Sequence, residues 1–253
     1  MRFDDLDQEM RRYETAHDYC VPDGCYIVTR LDGRCFTGLT KRRAEFERPF
    51  DAGFRDLMAQ TVRHLMGTGF NVLLGYSQSD EISLLHHPNE QSFGRKLRKL
   101  DSVLAGEASA RFSTLYGEIG VFDCRVSQLP TAERVIDYFR WRMADAQRNA
   151  LNAHCHWLLI KLGLAPRDAY ARLQPMEPEQ RLAFLAGHGV DFQGLPDWQR
   201  AGFACYYTDA EKRGTNPTTG QEEVARRRQL VTDFNLPTSD GFGELLRDHL
   251  ESA

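Results

Sequence analysis

GYSQSDEISLL, residues 75–85, decides how the rest of the chain is read. NVLLGY at 71–76 and ISLLH at 82–86 are short apolar runs, and the polar SQSDE between them has the length of a hairpin connection. Two antiparallel strands are therefore expected, with Asp80 and Glu81 at or near their tip. Carboxylates at a strand end are ordinary solvated turn chemistry unless another acidic group is brought beside them.

The preceding segment can supply that group. YIVTRL at 26–31 is apolar on both faces, as a buried strand is, and runs straight into Asp32-Gly33. Phe50, Phe54, Leu57, Met58, Thr61, Val62, Leu65 and Met66 then form one helical stripe, stopped by Gly67 and Gly69. A second amphipathic helix is expected from Arg95 to Tyr116 and a fourth strand at Val121–Val126. The order β-α-β-β-α-β is the split βαβ arrangement of ferredoxin-like and polymerase-palm domains. It sets the first strand beside the central hairpin, so that the Asp32 end meets Ser79–Glu81.

After Pro130 the pattern turns helical. Thr131 suits the N-cap of a helix reaching Gly163, with or without a break, and shorter helices are expected near 167–174 and 177–187. FACYY (203–207) and RRRQLVTDF (226–234) read as two strands joined through TNPTTG. The expected α+β architecture is a palm-like catalytic domain over residues 1–130. A mainly helical region, 131–253, carries a small β-hairpin and packs on the palm.

Composition narrows the function classes. The chain has 253 residues, 42% hydrophobic and 27% charged, which is ordinary globular material. No apolar run approaches the ~18–20 residues of a membrane span. MRFDDLDQEM lacks the apolar core of a secretory signal, so a cytoplasmic protein without a membrane partner is expected. Six scattered cysteines without a CxxC pair read as free thiols. A net charge of −4 argues against indiscriminate nucleic-acid coating but allows a local basic surface. Neither GxxxxGK[ST] nor GxGxxG is present. His154 and His156 stand two apart on a helix and do not share a face, so structural or RNA-facing roles are expected rather than a metal site.

If gathered, Asp32, Asp80 and Glu81 repel and raise one another's pKa unless they share a cation. Mg²⁺ takes oxygen ligands and leaves positions open for substrate phosphates. Asp32, the Gly33 carbonyl and Asp80 can supply those oxygens, and Gly33 has no side chain in the way. Two such ions suit phosphoryl transfer. Arg95, Lys96, Arg98 and Lys99 open the 95–116 helix against its dipole, and nucleotide phosphates are the expected partner. Lys41, Arg42 and Arg43 either serve likewise or are surface charge.

RLDGRCF (30–36), GYSQSDEISLL, FGRKLRK (93–99) and WRMADAQRNALNAHCHWLL (141–159) together resemble the tRNA-histidine guanylyltransferases, most of all their bacterial and archaeal guanylyltransferase-like relatives. The resemblance spans about residues 1–235. It implies a palm-like enzyme that adds nucleotides in the 3′–5′ direction to the 5′ end of tRNA, using ATP or GTP to activate a 5′-monophosphate, and that often assembles as a tetramer. By position, Asp32, Gly33 and Asp80 match its metal ligands, and Glu81 an acidic residue needed beside them. Ser79 lies next to the triphosphate. Arg34, Cys35 and Phe36 complete the first motif and are assigned to nucleotide binding with it. Arg95, Lys96 and Lys99 fall in a basic phosphate-binding segment.

One block departs from the family. Where the histidine-tRNA enzymes carry His-Ile-Asn-Asn-Leu-Tyr-Asn, this chain reads Gln147 to Ala153, keeping only Asn149 and Leu151. That favours templated repair of 5′-truncated tRNA over obligate addition of a −1 guanosine. A palm-fold nucleotide cyclase and a non-catalytic tRNA-binding module are the remaining alternatives.

Overall fold

The computed structural model describes residues 2–42, 46–215, 222–237 and 240–253. In chain order its elements are α1 (Phe3–Glu14), β1 (Tyr26–Gly33), α2 (Phe36–Arg42), α3 (Ala52–Leu65), β2 (Val72–Gln78) and β3 (Glu81–His86). There follow α4 (Leu97–Tyr116), β4 (Phe122–Leu129), α5 (Ala132–Lys161), α6 (Pro166–Leu173), α7 (Pro178–Gly187) and α8 (Asp197–Arg200). The chain closes with β5 (Phe203–Thr215), β6 (Glu222–Asp233) and α9 (Asp240–Glu251).

The strands form one six-stranded antiparallel sheet in the order β4-β1-β3-β2-β5-β6. The expected hairpin of β2 and β3 is present, and β1 lies between β3 and β4 as the split arrangement requires. The second hairpin departs from expectation. β5 pairs with β2, from Leu74↔Tyr206 to Ser77↔Phe203, so the chain after residue 130 lengthens the same sheet. Residues 216–220 of TNPTTG lie outside the described residues.

The centre of the sheet is buried on both faces, which is why β2 is buried at every position. One face carries α3 and α4, where Ile27, Leu31, Ile82 and Leu84 meet Met58, Val62, Leu104 and Phe112. The other carries α5 and α9, where Val28, Leu74, Tyr76 and Leu85 meet Val135, Phe139, Phe242 and Leu246. α5 is unbroken for 30 residues, about 45 Å. Thr131 caps it, its hydroxyl accepting from the Arg134 N–H at 3.3 Å. The outer half of α5 builds a separate apolar cluster with α6 and α7, around Leu151, Cys155, Leu159, Leu173 and Leu185. His154 packs between the rings of Phe50 and Phe192, a structural role.

α3 approaches β2 closely at Gly75, where an added Cβ would lie 2.5 Å from Val62 Cγ1 and 3.1 Å from Leu84. Gly75→Ala is therefore expected to overpack this layer and cost about 1–3 kcal/mol in urea unfolding. Unchanged stability would show that α3 is free to move away from the sheet.

Candidate functional site

The site is built at one edge of the sheet. Asp32, next to last in β1, stands directly opposite Glu81, the first residue of β3. Gln78 and Glu81 close the β2–β3 hairpin, leaving Ser79 and Asp80 as a two-residue tip. Ser79 takes a left-handed backbone, φ 55°, a cost of order 1 kcal/mol for a non-glycine residue. Its hydroxyl donates to Asp80 Oδ1 at 3.0 Å. The Gly33 N–H donates to the Asp80 carbonyl at 3.1 Å, which ties the β1 end to the hairpin tip. Asp32, Gly33, Ser79, Asp80 and Glu81 are thus brought together.

Their charges are crowded. Burial pushes the Asp80 carboxyl up to about 6, the Ser79 hydroxyl opposes this, and the charges of Asp32 and Glu81 add to it. Burial also raises Asp32, helped by Glu81 and by Asp123, its neighbour across the β1–β4 ladder. Glu81 is held differently. Arg30 of β1 and Arg142 of α5 each donate to one of its carboxylate oxygens. Arg30 also donates to Asp32 at 3.2 Å, and Arg142 to Asp145 at 3.1 Å. Arg142 is only 5% exposed. With both oxygens engaged by guanidinium groups, Glu81 balances charge beside the site, while Asp32 and Asp80 keep lone pairs for another cation.

Arg30, Arg142 and Asp145 were not among the expected site residues. A signal was present: Arg142 interrupts the buried stripe Val135, Phe139, Met143, Ala146, and a cation on an apolar face needs an anionic partner.

Some expected site residues lie elsewhere. Phe36 is a core residue, its ring 4.8 Å from Phe112 and 4.9 Å from Phe122. An added Cβ at Gly33 would meet that ring at 2.6 Å, so this glycine also makes room for Phe36. Arg34 and Cys35 are exposed at the start of α2, Cys35 with φ 61°. Lys41 and Arg42 end α2; their side chains, and Arg43, are outside the described residues.

Arg95, Lys96 and Lys99 are not brought to the carboxylates. β3 runs away from Glu81, so the segment after it lies at the opposite edge, about 23 Å from Asp32 along β1. Arg95, 3% exposed, donates to the carbonyls of Val21, Pro22, Cys25 and Glu90. Lys96 and Arg98 pair with Asp18, whose carboxyl they hold near 2. Lys99 lies over the Phe93 ring at 5.6 Å. Asp18 is the anion that offsets this cationic helix start, so no nucleotide phosphate is required to explain it.

Two family models divide the chain between them: "tRNAHis guanylyltransferase" matches residues 7–130 and "Thg1 C terminal domain" matches residues 133–235. The chain belongs to the tRNA(His) guanylyltransferase family, a family of nucleotidyltransferases. The tRNA(His) guanylyltransferase of Saccharomyces cerevisiae is 27% identical over 207 residues, covering 76% of this chain and 86% of the relative. The probable tRNA(His) guanylyltransferase of Dictyostelium discoideum is 26% identical over 256 residues, covering 95% and 98%. A bacterial tRNA(His) guanylyltransferase-like protein in complex with ATP superposes with a TM-score of 0.76 at 25% identity, covering 97% of this chain and 99% of that one. Its complex with GTP gives 0.73. Among the described residues no helix is long and apolar enough to cross a membrane.

Within this family member, two measurements test the site's electrostatics. A carboxyl whose pKa is raised on folding loses stability for the protein as the pH rises from 3.8 through about 6. In EDTA, Asp80→Asn should therefore melt above the wild type at pH 8, with the difference shrinking toward pH 4. No gain at pH 8 would show that Asp80 is not crowded. Arg142→Leu strands Glu81 with Arg30 alone and should cost about 2–3 kcal/mol in urea, less than for a fully buried pair because Glu81 keeps one partner and some water.

Proposed function

We propose that this chain is a Mg²⁺-dependent, template-directed 3′–5′ nucleotidyltransferase that adds nucleotides to the 5′ end of truncated tRNA. The catalytic part is a palm-like domain over residues 1–130, with the region 131–253 contacting the tRNA. The observation that carries this reading is the meeting of Asp32 and Asp80 at one sheet edge, tied through Gly33, in a chain whose relatives are guanylyltransferases. A structural neighbour bound to ATP and GTP supports nucleoside triphosphates as substrates.

The donor set fits a hard divalent cation. Its oxygens would come from the Asp32 and Asp80 carboxylates and the Gly33 carbonyl, with room for phosphate oxygens. Burial, with a smaller contribution from the charges of Asp32 and Glu81, raises the Asp80 carboxyl, and a bound cation would oppose that rise. Bound there, two Mg²⁺ ions would acidify the attacking hydroxyl and take up charge on the departing phosphates. The chain's own groups do the rest. The Ser79 hydroxyl, at the hairpin tip beside Asp80, can donate to a phosphate oxygen. Glu81, fixed by Arg30 and Arg142, holds the strand ends in register while nucleotides exchange. The same reading carries a cytoplasmic location and self-assembly as a tetramer.

The names of the relatives favour a second reading, addition of a −1 guanosine to histidine tRNA. Gln147 weighs against it. It stands five residues beyond Arg142 and lines a cavity of about 370 Å³ with Arg148, Phe192 and Arg200, where the histidine-tRNA enzymes carry the histidine of their signature block.

Incubation with Mg²⁺, ATP and 5′-truncated tRNAs, supplying each nucleoside triphosphate against matched and mismatched opposite bases, separates the readings. Extension only with the pairing nucleotide supports templated repair; guanosine addition whatever stands opposite supports the second. Failure to extend any RNA sinks both, and a cyclic product from GTP alone would indicate a cyclase. Asp32→Ala should abolish extension and leave the far-ultraviolet circular dichroism unchanged.

A further inference from the structure

α5 enters the structure at the Tyr26 end of the sheet and reaches the Glu81 end at Arg142, so its remaining turns project roughly 28 Å past the carboxylate edge. Against this projecting half, α6 and α7 leave a cavity of about 510 Å³ lined by Asn152, His156, Trp157, Tyr170, Gln174 and Arg181. Trp157 stands outside the apolar cluster that α5 forms with α6 and α7. The Arg48 guanidinium lies 5.5 Å from its ring centroid. Tyr170 is 63% exposed, although its helix buries Ala169 and Leu173.

The polar lining is equally specific. Arg181 donates to Asn152 Oδ1 at 2.7 Å and to the Leu173 carbonyl at 2.9 Å, which leaves the Asn152 amide hydrogens for the cavity. The Arg181 Nε is buried without an acceptor. Gln174 brings an exposed amide, both donor and acceptor. Among the described residues no carboxylate lines the space, so a cation has no counter-charge there. Its one arginine is engaged by two oxygens and does not make a phosphate cluster. The Trp157 and Tyr170 rings and the His156 imidazole, set among amide edges, match a planar heterocycle that stacks and hydrogen-bonds.

We infer that this cavity receives an unpaired nucleobase of the RNA whose 5′ end lies at Asp32 and Asp80. The inference rests on the proposed RNA substrate and adds to it a second point of attachment, outside the catalytic edge. A free nucleotide presents the same base, and the experiment distinguishes the two sources.

Affinity for a fluorescein-labelled, 5′-truncated tRNA is measured by anisotropy on the full chain, without nucleoside triphosphate. Trp157→Ala and Tyr170→Ala should each weaken binding about tenfold or more, and Trp157→Phe, which keeps a stacking ring, should restore most of it. A blunt, fully paired two-strand RNA duplex should bind all variants alike. Titration with AMP and with CMP, read as fluorescence quenching present in the wild type and missing in Trp157→Phe, reports a free nucleotide in the cavity. Quenching with unchanged tRNA affinity would assign the cavity to a free nucleotide and overturn the RNA assignment. Unchanged tRNA affinity without quenching, or equal losses on the paired duplex, would overturn the nucleobase assignment altogether. Circular dichroism melts of each variant identify any loss due to unfolding, in which case the Trp157→Phe result decides. Failure of the wild type to bind or extend any tRNA would instead sink the proposed function.

Discussion

Three carboxylates at one sheet edge repel one another, and the surrounding structure is arranged to hold them there. Asp32, Asp80 and Glu81 converge because β1 and β3 are antiparallel neighbours in a register that opposes Asp32 to Glu81. Two buried or half-buried arginines, from β1 and α5, neutralise the third member and leave the first two under-compensated. That division separates a charge-balancing acid from a pair able to share a cation. The left-handed Ser79, the amide of Gly33 on the Asp80 carbonyl and the close packing of Phe36 beneath Gly33 all serve the same placement.

α5 connects this edge to the rest of the molecule. Its first turns cover the sheet through Val135 and Phe139, Arg142 reaches the carboxylates, and its outer turns carry α6 and α7 on a separate apolar cluster. One stiff helix therefore places the Glu81 clamp and the helical platform in a common frame.

Much of this was legible beforehand. The hairpin at 71–86, the α3 stripe, the Thr131 cap and the Asp32/Asp80/Glu81 meeting all rest on local periodicity or on a topology that short connections enforce. The basic helix start misled because charge alone does not reveal what lies opposite: Asp18, distant in sequence, answers Lys96 and Arg98, and backbone carbonyls absorb Arg95. Phe36 misled for the converse reason, since a residue inside a motif can serve the core beneath it. α1 and α9 carried weak signals, α1 burying no residue of its own and α9 containing two glycines.

What the amino-acid sequence by itself determined was the first four strands, the helices α3 and α4 between them, their order, and the acids at two strand ends, because each depends on spacing along the chain. Only the tertiary structure decided that β5 and β6 extend the same sheet, that Arg30 and Arg142 clamp Glu81, and that the basic turn of α4 faces away from the carboxylates. Those outcomes depend on edge pairing and on partners more than fifty residues apart, such as Arg142 and Glu81, and no local period encodes which distant charge a buried arginine will meet.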